Sequence, residues 1–197
     1  MQYEKVPNIE IFAEALSVPP LMHVPADRKM SVAAIGRCAL PLAKLALRYP
    51  STERAMLVST GKGPLPRDRR LSVVRSIDGL KGQSFDVVGM ALPGDPARAI
   101  GLVRPLIKPG GILVVALDQL ARGRAVKDAM QRLFRQVLVY REHVPEPALF
   151  LMAKDGQFGK PSRPMPPNLK RLTPRYLQGL FLLAKDEYKA LYGGPTS

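Results

Sequence analysis

Residues 30–36 read Met-Ser-Val-Ala-Ala-Ile-Gly, five apolar residues and one Ser closing on a Gly. An unbroken apolar run of this length suits a strand buried on both faces, as in a parallel sheet, better than an alternating strand with one wet face. A helix is expected next, with Pro41 in its first turn. Leu42, Leu45, Ala46 and Tyr49 then fall on one face, Lys44 and Arg48 point outward, and Pro50 ends it. Residues 55–59 read as a second strand, which completes a strand–helix–strand unit.

The alternation continues. Residues 71–74 are a short third strand, 79–84 a turn, 85–92 a buried strand and 97–107 a helix. The turn Lys108-Pro-Gly-Gly111 precedes a strand over 112–117. A helix is predicted over 126–134, then strands over 136–143 and 148–153 joined by Val144-Pro-Glu-Pro147. Strands alternating with helices and closing on a hairpin predict an α/β fold. Its doubly wound, mostly parallel sheet carries an antiparallel C-terminal hairpin. The expected division is an approach segment over 1–28, the α/β domain over 29–155, and a basic Pro-rich arm with a helix over 156–197. In that arm Pro161, Pro164, Pro166 and Pro167 favour an extended chain, and Thr173-Pro174 forms an N-cap pair that opens a helix over 174–191.

Composition narrows the class. The chain has 197 residues, enough for one domain with arms that buries about 70% of its unfolded surface without disulfides. Lys plus Arg number 30 against 16 Asp plus Glu, a net charge of +14. That excess speaks to polyanionic partners rather than to the fold. One cysteine, Cys38, excludes an internal disulfide, and two histidines, His23 and His143, leave little for a metal, so no metal site is expected. All three read as packing residues. No run of 18 apolar residues and no signal-type start is seen, which points to a cytoplasmic protein, or one inside an assembled particle, with no membrane partner.

The ordered set of segments resembles the class I S-adenosylmethionine-dependent methyltransferase fold, a Rossmann-like fold, and within it the spermidine synthase branch. The residues that carry the resemblance are Leu21-Met-His-Val-Pro25 before the first strand, Tyr49-Pro-Ser51 after the first helix, and Asp95-Pro96 after the fourth strand. Further along come Leu106-Ile-Lys-Pro-Gly-Gly-Ile-Leu-Val-Val115, the pieces Val139-Tyr140 and Phe150-Leu-Met-Ala153 of the last hairpin, and Leu172-Thr-Pro-Arg-Tyr176. The resemblance implies a nucleoside pocket lined by Gly36, Ser59, Asp95 and Asp118. It also implies features that this chain lacks. The first strand–helix turn, Gly36-Arg-Cys-Ala-Leu-Pro41, has one Gly instead of several. Ser59 stands where an acidic residue would take ribose hydroxyls, and Ala91 stands where a carboxylate would serve a polyamine.

Three basic groups are candidate contacts for nucleic acid or a neighbouring subunit: Arg67, Arg69 and Arg70 in a Pro/Gly loop; Arg124, Lys127 and Arg135 on one helical face; and Arg163, Lys170, Arg171 and Arg175 on the arm. Each group has a plain alternative as a solvated surface. The expectation is a pseudoenzyme, a non-enzymatic structural or assembly component without a cofactor. It would bind other protein subunits, and nucleic acid through non-specific phosphate contacts, in a virion or ribonucleoprotein particle. The alternative is an S-adenosylmethionine-dependent transferase, either spermidine synthase-like or an RNA methyltransferase.

Overall fold

A computed structural model describes residues 23–24, 27–36, 39–58, 65, 67–91, 95–117, 123–142, 149–160 and 169–177. The strands are β1 (Met30–Ile35), β2 (Thr52–Val58), β3 (Leu71–Val74), β4 (Phe85–Ala91), β5 (Ile107–Leu117), β6 (Gln136–Glu142), β7 (Leu149–Lys154) and β8 (Leu169–Arg171). They form one eight-stranded sheet in the order β3-β2-β1-β4-β5-β7-β6-β8. The pairings among β3, β2, β1, β4 and β5 are parallel. β7 inserts antiparallel between β5 and β6, and β8 adds antiparallel to the outer edge of β6. The doubly wound sheet and its antiparallel hairpin are thus as the sequence predicted.

The helices are α1 (Ala39–Leu47), α2 (Pro96–Val103) and α3 (Gly123–Leu133). Leu42, Ala43 and Ala46 of α1 pack with Val32, Ala34, Leu57, Val87, Val114 and Met152 on one face of the sheet. Ile100 and Val103 of α2, with Val126, Ala129 and Met130 of α3, cover Ala33, Met56, Val88, Leu113, Val115 and Leu151 on the other. Successive strand residues therefore enter opposite cores, which is why these strands read as continuous apolar runs.

Several boundaries differ from the sequence prediction: β2 and α3 start earlier, at Thr52 and Gly123, and two others differ further. The helix expected over 97–107 ends at Val103, and a 3-10 turn, Arg104–Leu106, follows. Pro105 has no N–H to continue the ladder and its ring crowds the preceding turn. β5 begins at Ile107, across the Lys-Pro-Gly-Gly segment expected to be a turn. Gly110 adopts φ +74, and the β4–β5 register shifts between Phe85 and Val87, so the strand takes up an irregularity without stopping. Within the segment read as an arm, Leu172 N donates to Val139 O at 2.8 Å, and Leu177 is buried in the core beside α2 and α3. Thr173 Oγ1 accepts from Tyr176 N at 3.3 Å, as the N-cap reading expects. The helix is described over 174–177 only.

A buried carboxylate joins the amino ends of three strands. Asp86 in β4 is 6% exposed. Its Oδ2 accepts from Ser31 N at 2.8 Å, from Ser31 Oγ at 2.7 Å and from Lys108 Nζ at 2.8 Å, while Oδ1 accepts from Arg28 Nη2 at 3.3 Å. Ser31 Oγ also accepts from Lys108 Nζ at 3.0 Å and from Asp86 N at 3.3 Å. Burial alone would push the Asp86 carboxyl up. The Lys108 and Ser31 hydrogen bonds outweigh it and hold the group below the usual carboxylate range.

The sign of the resulting pH dependence follows from that depression. Stability from this node is fully present above the ordinary carboxylate pKa and is lost as pH falls through the lower folded value. Lys108→Met leaves the buried carboxylate short of its strongest partner and should cost about 3 kcal/mol in urea unfolding at pH 7. An unchanged midpoint would show that the node is energetically idle. Gly89 in β4 lies under α1, where an added Cβ would overlap Leu42 Cδ2. Gly89→Ala should destabilise by about 1–3 kcal/mol, and adding Leu42→Ala should cost less than the sum of the two single changes.

Candidate functional site

In an open parallel sheet, ligands bind beyond the carboxyl ends of the strands, where the strand order reverses. Here the reversal falls between β1 and β4. The register sets Ile35 beside Val58 on one side and Met90 on the other, and Ala91 beside Ala116. The chain leaves β1 through Gly36, whose φ is +95. An L side chain rarely adopts that backbone conformation, so glycine is required to turn the chain from β1 toward α1.

Of the four residues placed in a nucleoside pocket by resemblance, Gly36 stands at this crevice. Asp95 is exposed and caps α2, its Oδ1 accepting from Ala97 N at 3.0 Å, with Pro96 as the first helical residue. That is the N-cap arrangement its Asp-Pro sequence favours. Ser59 and Asp118 lie outside the described residues, as do Cys38 and His143. His23 packs on Phe158, ring centres 4.9 Å apart, with Nε2 3.4 Å from the Tyr140 hydroxyl. Burial, helped by Lys154 and Arg171 and opposed by a hydrogen bond that the ring donates to the Gly159 backbone, holds its imidazole below the ordinary range. Among the described residues, no group of His, Cys, Asp and Glu is placed to hold a metal ion, and no helix is long and apolar enough to cross a membrane.

The candidate basic contacts separate. Arg67 and Arg69 are exposed just before β3, at one edge of the sheet. Arg70 is engaged internally: Nη2 donates to Leu47 O at 2.7 Å, Nη1 to Thr52 O at 3.1 Å and Tyr49 O at 3.3 Å, and Asp68 takes its remaining donors. It clamps the end of α1 and the start of β2 to the β3 loop. Arg124 and Arg135 are exposed and Lys127 is half-buried; Arg124 Nε lies 4.0 Å from Asp128, and Lys127 Nζ donates to Gln131 at 3.4 Å. Arg171 and Arg175 are exposed near the opposite edge, and the backbone of Lys170 pairs with Arg141. Arg163 lies outside the described residues. Seven strand spacings separate the two edges, about 34 Å, so the basic groups do not form one patch.

Sequence reasoning missed Asp86 and Lys108. The available signal was a charge inside the apolar run Phe85-Asp-Val-Val88, matched by a Lys at the start of a later strand. It missed the Arg70 clamp as well, because the carbonyls it binds come from residues 47, 49 and 52.

No protein-family model and no curated protein matches the chain. Solved structures do. A probable spermidine synthase from Corynebacterium glutamicum aligns over 90% of this chain and 79% of its own, with TM-score 0.61 and 13% identity. Spermidine synthase from Thermotoga maritima aligns over 97% and 77%, with TM-score 0.61 and 15% identity. Precorrin-6y C5,15-methyltransferase from Geobacter metallireducens aligns over 79% and 93%, with TM-score 0.55 and 15% identity. The chain has the class I methyltransferase fold, with spermidine synthases among its structural neighbours.

Two outcomes test these assignments. Asp95→Ala should lower stability by about 1 kcal/mol, and Asp95→Asn, which keeps a capping acceptor, should restore most of it, as read by thermal unfolding. The hydrogen bonds from Arg70 hold the Asp68 carboxyl at about 2. Because that value is depressed, the Asp68–Arg70 ion pair is fully formed above the ordinary carboxylate pKa and is lost only as pH falls through about 2, while the bonds of Arg70 to the three carbonyls do not titrate. The Asp68 carboxyl carbon, followed by NMR, should titrate near that pH in the parent and near the ordinary value in Arg70→Gln.

Proposed function

We propose that the chain is an S-adenosylmethionine-dependent transferase that takes its nucleoside in the crevice between β1 and β4 and acts on an anionic acceptor, RNA before any polyamine. The observation that carries this reading is Gly36, held at φ +95 where β1 gives way to α1 at the reversal of strand order. A residue without Cβ at that point lets main chain approach a nucleoside closely, which fits the backbone side of such a ligand. Gly36 would supply the main-chain contact, and Ser59 and Asp118, which follow β2 and β5 in sequence, would supply polar groups to the ribose and the amino-acid portion. When bound, the sulfonium offers an electrophilic carbon for transfer.

Charge favours one acceptor class over the other. A net charge of +14 raises the local concentration of anions and repels a polyamine dication. Ala91 at the end of β4 offers no carboxylate to hold a polyamine or accept its proton. RNA satisfies the charge, and a methyl group is then the group transferred.

A second reading, a non-enzymatic component of a larger assembly, is favoured by a different observation. The Asp95 carboxylate is engaged as the α2 cap, β2 ends at Val58, and the residue that follows in sequence, Ser59, is not acidic. Isothermal titration with S-adenosylmethionine, its decarboxylated form and methylthioadenosine separates the two. The transferase reading expects a Kd of about 100 μM or tighter, near −5.5 kcal/mol, weakened at least about tenfold by Gly36→Val in a sample that remains folded. Methyl transfer to RNA, but none of either group to putrescine, should then be detectable. No heat with any of the three ligands from folded protein would remove the transferase reading and leave the assembly component.

A further inference from the structure

A recess opens at the amino ends of β1, β2, β3 and β5, the end of the sheet opposite the β1/β4 crevice. Its volume is about 480 Å³, and its lining includes Arg54, Arg69, Arg70, Lys108, Ser72 and Glu53. Four of these are cations and one is a carboxylate, and among the described residues no apolar or aromatic side chain lines it. A recess of this size without apolar walls does not suit a drug-like or base-stacking ligand, which needs hydrophobic contact. It suits a compact, strongly solvated anion.

The hydrogen bonds around the recess decide which cations are available. All five donors of Arg70 are committed to Asp68 and to the carbonyls of Leu47, Tyr49 and Thr52, so it forms a fixed wall. Lys108 gives two of its three donors to Asp86 and Ser31. Arg54 is held over the Phe85 ring at 5.1 Å, with Nη1 on Gln83 at 3.1 Å and Nη2 on Ser84 O at 3.5 Å. These contacts fix its guanidinium and leave further N–H groups uncommitted. Arg69 is exposed and makes no hydrogen bond or ion pair among the described residues. Asp86 and Asp68 are already neutralised by Lys108, Arg28 and Arg70. Among the residues that line the recess, Glu53 is the one carboxylate set against the charge of Arg54 and Arg69, and Asp68 beside Arg69 is held by Arg70.

We propose that this recess is a binding site for phosphoryl groups. Arg54 and Lys108 form its preset floor, Arg69 closes from the rim with forked donors, and the Ser72 hydroxyl supplies a neutral hydrogen bond. The site does not depend on the nucleoside crevice, which lies at the other end of the sheet.

The test is titration of the full chain with inorganic pyrophosphate at about 50 mM salt, where phosphate contacts are least screened. Saturable one-to-one binding is expected. Arg69→Glu should weaken it at least about tenfold, and Ser72→Asp, which places a carboxylate in the recess by a separate change, should do the same. Both side chains are exposed, so both variants should keep the parent's unfolding midpoint and its response to S-adenosylmethionine. A short oligodeoxythymidylate distinguishes the sources of phosphate. Displacement by pyrophosphate, with loss in Arg69→Glu, assigns the site to a nucleic-acid backbone; pyrophosphate binding alone assigns it to a free diphosphate. No saturable binding of either, or equal affinity in parent and both variants, overturns the proposal whatever the nucleoside titration gives.

Discussion

The carboxylate of Asp86 is the constraint on which the rest of the sheet depends. It lies at the amino end of β4, the strand flanked by β1 and β5, and draws Ser31 from β1 and Lys108 from β5 onto one oxygen. A buried charge without partners is costly, so its hydrogen bonds to Ser31 and Lys108 favour the register that brings those strands together. Apolar residues alone would not choose so sharply, because sliding a buried strand by two residues still buries apolar side chains. The polar node is therefore read as the registration device, and the two apolar layers as the source of most of the stability.

The architecture was legible because the strands carry their burial in their composition. Ile112–Leu117 is apolar throughout and Met30–Ile35 apolar but for Ser31, since each face meets a helix-covered core. What escaped were features that depend on distant partners. β8 is only Leu-Lys-Arg, after a Pro-rich segment, and nothing local marks it as a strand; it exists because the edge of β6 offers unpaired groups and Leu172 and Leu177 reach the core. β5 runs through two glycines and a proline that signal a turn, and it does so because β4 tolerates an irregular register there.

The candidate site was legible unevenly for the same reason. Gly36 announces itself as the Gly that ends a buried strand, and its backbone conformation is a local property. Asp95 is equally local: an Asp before Pro at a helix start is a cap, and it is engaged as one. The Arg70 clamp and the Asp86 node are not local. The loop arginines look alike in sequence, yet Arg70 is fixed to three carbonyls while Arg69, its neighbour, stays exposed. Counting charges could not separate a structural arginine from one available to a partner.

That separation changes what the net charge of +14 means. Strand direction places each cation at one end of the sheet or the other. α3 starts after the carboxyl end of β5 and runs back to the amino end of β6. Arg124 and Lys127, in its first turns, therefore lie toward the end that holds the β1/β4 crevice. Arg135, just before β6, lies toward the end that holds Arg54 and Arg69. A polyanion drawn to the second group is drawn away from the crevice, by a distance comparable to the strand length of about 20 Å. Most of that separation is beyond a Debye length in physiological salt, so the two ends act as electrostatically independent surfaces. The chain's basic character is thus better treated as two local fields, one toward the β1/β4 crevice and the other at the recess beside Arg54 and Arg69.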